Sequence, residues 1–263
     1  MRYESTTGLD HDQIQELVTR IHQVTAGKSG RGRRPTLGLY RRVVLTLVLL
    51  RQNLAQTVAA DLFGVSQPTV SRIYRAMLPL VEQVVCLHRP PLPDVLRGRV
   101  VLVDGTLVPV GNRRTDRETH LGNLSGKSHK AGVIVQVLSD LNGCLLTVSE
   151  PQPGRTHDRA GFTLAGFDLL LADTPTIGDL GYQGTPVIRP RRKRPGHPEH
   201  TPTDQVWNHS IATLRIAVER AIAHWKNWKI LATGYRGRLT ELANLIRIVT
   251  TLEHYRLNQR THI

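Results

Sequence analysis

The segment VVLVDGT, residues 100–106, is an apolar run that ends at a carboxylate, Asp104. Its β-branched residues are typical of a buried strand, which predicts a strand with Asp104 at its end. Further along the chain, the same patterns predict a strand at 133–139, a turn at 140–143, a strand at 144–149, a helix at about 158–171 and a strand at about 175–178. This order predicts an α/β fold for the second part of the chain.

Two other carboxylates have equally well-defined surroundings. Asp179, in TIGDLGY (176–182), follows the last predicted strand and precedes a turn that contains glycine. Glu219 lies in the middle of a helix predicted at 204–228. Three carboxylates can hold two Mg²⁺ ions for phosphodiester chemistry, because Mg²⁺ prefers hard oxygen ligands. Asp104, Asp179 and Glu219 are therefore the candidate catalytic and metal-binding residues.

Glu219 shares one stripe of its predicted helix with two basic residues. At about 100° per residue, Arg215 lies about 40° and Lys226 about 20° from Glu219 around the helix. A nucleic-acid site would place this stripe toward the sheet edge where Asp104 and Asp179 emerge, with Arg215 and Lys226 against phosphates. The alternative is a surface ion-pair stripe, which is common on amphipathic helices.

The chain of 263 residues carries a formal net charge of +14. A charge of this size favours a nucleic-acid partner. No run of about 18 apolar residues is present, and the polar N-terminus lacks the apolar stretch of a signal peptide, so we expect a cytoplasmic protein with no membrane partner. Cys86 and Cys144 lack the spacing of a zinc site and are expected to be buried free thiols.

The segment ADLFGVSQPTVSRI, residues 60–73, has the pattern of a helix-turn-helix. Ala60 is small enough for two helices to cross, and Gly64 can take the positive φ of the turn. Val70 and Ile73 can anchor the second helix. An ordinary helical hairpin is the alternative. In a helix-turn-helix, the outward-facing residues that contact DNA would be Gln67, Thr69, Ser71 and Arg72.

A proline-rich segment at 88–94 predicts a domain boundary. Before it we expect a helical DNA-binding region, 1–94, with the helix-turn-helix at about 54–78. After it we expect a catalytic domain, 95–263. The other helices predicted from apolar periodicity are at 9–26, 38–51, 80–87 and 239–257.

Taken together, the motifs resemble those of DDE-type transposases. They are VDGT at 103–106, HD at 157–158, GDLGY at 178–182, and the R-x₃-E-x₆-K pattern of Arg215, Glu219 and Lys226. The chain is similar in these motifs to bacterial insertion-sequence enzymes and to Harbinger-like DDE endonucleases, and the likeness covers most of its length. The family often has a tyrosine three residues before the arginine, where this chain has Ala212.

The resemblance implies an RNase H-like catalytic domain, a mixed sheet flanked by helices, preceded by an all-α helix-turn-helix domain. It implies a transposase that cuts transposon ends and transfers strands into target DNA, with two Mg²⁺ (or Mn²⁺) ions at Asp104, Asp179 and Glu219. Such an enzyme could form a homodimer on DNA and associate with a bacterial nucleoid. Two alternatives stay open: a transposase-derived DNA-binding protein without turnover, and a stand-alone metal-dependent nuclease.

Asp158 competes with Asp179 for the second position of the predicted triad. The HD element contains Asp158, and we interpret this residue as a helix N-cap or as a group behind the metal ligands. The position of Asp179 directly after the fourth predicted strand favours Asp179 as the ligand.

Basic segments contain the other candidates for DNA binding. In the segment 122–132, Lys127 and Lys130 could contact phosphates, although a solvated basic loop explains them nearly as well. GRGRRP, residues 30–35, is similar to an arginine arm that enters a minor groove, or is a flexible basic linker. The segment 189–202 contains a run that could bind phosphates without sequence preference, namely Arg191, Arg192 and Lys193.

Overall fold

The computed structural model describes residues 3–26, 35–86, 91–111, 122–124, 130–193, 196 and 199–258. Their contacts form two compact units. As far as it is described, the first consists of Met1–Arg89, Lys226–Tyr235 and Asn244–Ile263, and the second of Pro90–Trp225 and Arg236–Ala243. The domain division at residue 94 stays a prediction. By contact, two C-terminal segments group with the N-terminal residues.

The first unit is helical at its N-terminal end. Its helices there are α1 (Tyr3–Thr7), α2 (His11–Thr25), α3 (Leu39–Gln52), α4 (Gln56–Phe63) and α5 (Gln67–Val85). Asp10 starts α2 with a capping box: its Oδ1 accepts a hydrogen bond from Gln13 N at 2.8 Å, and the Gln13 side chain accepts one from Asp10 N at 3.1 Å. The order of these helices follows the predicted one.

The prediction of a separate helix at 80–87 was wrong, because α5 continues without a break to Val85. Pro79 lies inside α5 and does not end it. Met77, Val81 and Val84 are buried on either side of this proline. Their packing therefore holds the helix together across the one backbone hydrogen bond that a proline cannot make.

Helices α4 and α5 form the helix-turn-helix. Gly64, between them, has a φ of +67°, the left-handed conformation that favours glycine. Ala60 and Val70 are buried in one core with Leu45 and Leu49 of α3. The small crossing residue, the glycine turn and the apolar anchor that the sequence predicted are all in place.

The second unit is built around a mixed sheet. Its strands are β1 (Val101–Pro109), β2 (Gly132–Ser139), β3 (Leu145–Val148), β4 (Gln152–Pro153) and β5 (Thr176–Ile177). Strand β2 pairs antiparallel with β1, β3 and β4, and β5 pairs parallel with β1, which gives the order β3-β2-β1-β5. The strands predicted at 133–139 and 144–149 are present as β2 and β3, which pair antiparallel across the predicted turn.

The remaining helices are α6 (Leu92–Leu96), α7 (Asp158–Leu164), α8 (Phe167–Leu170), α9 (Pro202–Lys226) and α10 (Leu239–Asn258). The single helix expected at 158–171 is two short ones, because Gly166 takes a φ of +71° between them. The two later helices lie close to their predicted positions.

Successive residues of β1 face opposite sides of the sheet. Val103 belongs to the core that contains α7 and α8, and Leu102 belongs to the core that contains α9. Because side chains alternate along a strand, Asp104 faces the α9 side and Gly105 the α7 side. Strand β1 thus presents functional positions to both layers of helices.

No described helix is long and apolar enough to cross a lipid bilayer.

Cys86 and Cys144 are exposed free thiols, so the expectation that they are buried is wrong. Cys86 is the C-cap of α5. Cys144 belongs to the turn between β2 and β3, where its backbone N donates a hydrogen bond to Asp140. Both lie at the ends of elements rather than on a packed face.

Candidate active site and DNA-binding surface

Asp104 lies where β1 loses a neighbouring strand. In the described chain, β5 pairs with Val101 and Leu102 only. Beyond Leu102, no described strand pairs with this edge of β1. The turn that follows β5 and the start of α7 lie beside it instead. On the α9 side, Nη2 of Arg215 lies 3.4 Å from Oδ1 of Asp104, and both side chains are largely buried.

Burial raises the pKa of Asp104 to about 6, and it is the largest of several opposing effects. The guanidinium of Arg215 lowers this pKa, while the negative charges of Asp179 and Asp158 raise it. A hydrogen bond from the Gly105 backbone lowers it slightly. Asp179 and Asp158 therefore both repel Asp104, and oxygens of Asp158 and Asp179 both border the point where a Cβ of Gly181 would stand.

Asp179 stabilises the turn that follows β5. It precedes a 3₁₀ turn, Leu180–Tyr182, and its Oδ1 accepts a hydrogen bond from Gly181 N at 2.8 Å. This bond restrains the orientation of the carboxylate. Asp179 lies directly after the last strand, as expected, while its role as a metal ligand stays a prediction.

Asp158 is the first residue of α7, and the N-cap is His157. The interpretation of Asp158 as the N-cap is therefore wrong. Its carboxylate lies between β1 and the turn after β5. A Cβ on Gly105 would overlap Oδ1 of Asp158, and a Cβ on Gly181 would lie 2.8 Å from Oδ2. The HD element signalled this residue, but nothing in the sequence showed that it reaches Asp104.

Sequence analysis missed the role of Tyr182, the last residue of GDLGY. Its side chain is fully buried, and its hydroxyl donates a hydrogen bond to Oε1 of Gln136 on β2. Burial raises the pKa of this hydroxyl well above its ordinary value, and the charges of Asp158, Asp104 and Asp179 raise it further. Tyr182 therefore stays protonated and donates its hydrogen bond to Gln136 from inside the unit.

The structure brings Asp104, Asp158 and Asp179 together with Arg215, but it does not complete the predicted triad. Glu219 is exposed on α9, one helical turn beyond Arg215. Within the described ranges, no three His, Cys, Asp or Glu side chains are arranged to hold one metal ion. The role of Glu219 stays a prediction, as does that of Lys226 at the end of α9.

The carboxylate cluster fits a divalent cation of the Mg²⁺ type. Mg²⁺ is usually held by one or two protein carboxylates, with waters and substrate phosphates as its other ligands. Asp104 and Asp179 supply hard oxygen atoms, and the charge of Asp179 acts on Asp104. A bound positive charge would also relieve the repulsion that raises the pKa of Asp104.

The raised pKa of Asp104 predicts a pH dependence of stability in the metal-free protein. The folded chain holds this proton more tightly than the unfolded chain, so the free energy of unfolding should fall as pH rises from 3.8 to about 6. Urea unfolding across this range, in EDTA, measures the slope. Asp104→Asn should remove this contribution, and an identical pH profile in the variant would contradict the assignment.

The first unit presents the predicted recognition residues at the start of α5. Gln67 and Arg72 are exposed, as expected, whereas Thr69 and Ser71 are half-buried. Nη2 of Arg72 donates a hydrogen bond to Oγ1 of Thr69 at 3.1 Å. These two side chains therefore form one polar group at the surface. Their contact with DNA stays a prediction.

The basic segment before α9 is anchored to that helix. Arg191 stacks over the ring of Trp207, 5.4 Å from its centroid, and forms a 3.0 Å ion pair with Asp204. Arg192 and Lys193 are exposed. Sequence analysis did not foresee that Arg191 is held by an aromatic ring and a carboxylate, which restrains it more than its neighbours.

Only one of the other basic candidates lies among the described residues. Lys130 is exposed next to β2. Lys127 and the arginines of GRGRRP lie outside the described residues.

Comparison with known families matches both parts of the chain. Residues 103–253, more than half of the chain, match the DDE superfamily endonucleases. Residues 35–86 match the helix-turn-helix of DDE superfamily endonucleases. The first match contains Asp104, Asp158, Asp179 and Glu219, and the second contains α4 and α5. Endonucleases of this superfamily depend on divalent metal ions.

Two relatives extend the likeness over nearly the whole chain. One, from Streptomyces albus G, is named as a transposase for insertion sequence element IS112; it is 30% identical over 86% of this chain and 83% of its own length. The other, from Microchaete diplosiphon, is named as a transposase for insertion sequence element IS702; it is 22% identical over 97% of this chain and 94% of its own. No solved structure matches the chain significantly.

Proposed function

The chain belongs to the DDE superfamily endonucleases, and we propose from this premise that it is the DNA transposase of an insertion sequence. It cleaves DNA at the element's ends and joins the freed 3′ ends to target DNA. The observation that carries this proposal is the cluster of Asp104, Asp158 and Asp179 beside Arg215, in a chain whose other unit has a helix-turn-helix.

In this proposal, Asp104, Asp179 and Glu219 hold two Mg²⁺ or Mn²⁺ ions. When bound, such ions activate the attacking oxygen and stabilise the leaving oxygen of an in-line displacement. Asp104 and Asp179 must be ionised to bind them. A bidentate guanidinium suits phosphate oxygens, so Arg215 orients the scissile phosphate next to Asp104. Lys226 contributes a further positive charge at the end of the same helix.

We also propose that the second unit is RNase H-like. The pattern that supports this is an antiparallel β1-β2-β3 arrangement with β5 added in parallel beside β1. The first carboxylate lies on the central strand β1, and the second directly follows β5. The last lies on the long helix α9, which packs on the sheet face shared with Leu102.

The proposed partners are transposon-end and target DNA, and the proposed location is the bacterial nucleoid. A reaction at two ends needs two catalytic units in one complex. A net charge of +14 opposes self-association until phosphates neutralise it. We therefore propose that a homodimer forms on the DNA.

The decisive experiment uses end-labelled DNA that carries the element's terminal sequences. With Mg²⁺, we expect nicks mapped to the element boundary and, with target DNA added, joined products; EDTA should abolish both. Specific binding without cleavage would support a DNA-binding derivative instead. Metal-dependent cutting without end specificity or joining would support a stand-alone nuclease.

A further inference from the structure

The carboxylate of Asp158 is packed closely against the backbone of two other elements. Its carboxylate lies between two glycines, Gly105 on β1 and Gly181 in the turn after β5. A methyl group on Gly105 would overlap Oδ1, and one on Gly181 would lie 2.8 Å from Oδ2 and 2.9 Å from Oδ1 of Asp179. The carboxylate therefore lies against both elements that carry the predicted ligands Asp104 and Asp179.

A buried amide lies on the same side of the sheet as this carboxylate. Gln136 is paired opposite Gly105 on β2 and is 1% exposed. Its Oε1 accepts the hydroxyl of Tyr182, while its Nε2 has no hydrogen-bond partner among the described residues. Nε2 lies 3.3 Å from the point where a Cβ of Gly105 would stand, the same point that Oδ1 of Asp158 borders. A buried donor thus faces the space beside Asp158.

The carboxylates of Asp158 and Asp179 lie against the same glycine. Oδ2 of Asp158 and Oδ1 of Asp179 lie 2.8 and 2.9 Å from the point where a Cβ of Gly181 would stand, and Oδ1 of Asp158 borders Gly105, the residue after Asp104. Like charges in a partly buried site repel one another, and Arg215, 3.4 Å from Asp104, offsets part of this repulsion. An acidic residue in the first turn suits the N-terminus of α7, but that does not explain why the carboxylate of Asp158 packs against Gly105 and Gly181.

We propose that Asp158 is a positioning residue of the divalent-cation site. It fixes the turn of Asp179 against β1, and it adds its negative charge to the field of Asp104 and Asp179. This inference rests on the proposed function, since it requires that these two aspartates bind the cation. Of the two sequence-based interpretations of Asp158, it develops the group behind the metal ligands and not the helix N-cap.

The test measures Mn²⁺ binding by electron paramagnetic resonance, using the full chain with a short DNA duplex, together with the melting temperature in EDTA. Asp158→Asn keeps the shape of the side chain and removes its charge. We expect Mn²⁺ affinity to fall about 10- to 100-fold, as for groups that orient metal ligands, and the melting temperature to stay level or rise. Asp173→Asn, at an exposed site in the same unit, should change neither quantity.

A second variant separates position from charge. Gly105→Ala keeps the Asp158 carboxylate but displaces it, and it should also weaken Mn²⁺ binding. Unchanged affinity in Asp158→Asn, or a loss of affinity accompanied by a lower melting temperature, would overturn the proposal in favour of a purely structural role. If Asp104→Asn also leaves Mn²⁺ affinity unchanged, or the wild-type chain binds no Mn²⁺, the proposed function itself fails.

Discussion

Asp104→Asn should abolish DNA cleavage while DNA binding stays at the wild-type level. The substitution keeps the size of the side chain and removes the charge that a divalent cation needs. We expect the cleavage rate to fall about 10³-fold or more, as when a group that stabilises transition-state charge is removed. Asp179→Asn and Glu219→Gln should have effects of the same size. Cleavage is followed on labelled end DNA, and binding by gel shift in Ca²⁺.

Glu219→Gln is the most informative of these three variants. Asp104 and Asp179 already act on each other in the folded chain, whereas Glu219 is exposed. Its participation therefore depends on α9 presenting it once metal and DNA are bound. Asp173→Asn is the control and should cut at the wild-type rate. A near-normal rate in any of the three variants would remove that residue from the proposed ligand set.

Arg72→Ala and Thr69→Ala should weaken binding to the element's end sequence far more than binding to random DNA. Base-edge contacts contribute about 1–3 kcal/mol of discrimination each. The two side chains share a hydrogen bond, so the double variant should lose less than the sum of the single losses. Affinities for end and random duplexes, measured by fluorescence anisotropy at one salt concentration, give the ratio.

Neutralising Arg191, Arg192 and Lys193 together is the matched comparison. Phosphate contacts carry no sequence information, so this triple variant should weaken binding to both duplexes equally and flatten the dependence on salt. Should the α5 variants also affect both duplexes equally, α5 would not be the recognition helix.

Local patterns in the sequence were enough to predict most of the elements and their order. Gly64 and Val70 signalled the helix-turn-helix because a turn of this kind needs a positive φ and an apolar anchor within a few residues. Asp179 could be placed next to a strand because an apolar β-run precedes it. The expectation that Asp104 ends its strand was wrong, because β1 continues to Pro109. Arg215 and Glu219 lie one turn apart on α9, because helical spacing alone decides that.

Local patterns failed where packing overrides them. Pro79 reads as the end of a helix, but buried residues on both sides keep α5 continuous. Contacts between residues distant in the chain decide this outcome, and no short window of sequence contains them.

The composition of the carboxylate cluster was decided by the folded chain. The short pairing of β5 leaves β1 open beyond Leu102. Gly105 and Gly181 then admit the carboxylate of Asp158 where any side chain would exclude it. The burial of Asp104 on this strand, together with the neighbouring charges, sets its pKa. These properties depend on distances across the sheet, whereas the motifs specify only which residue types are available.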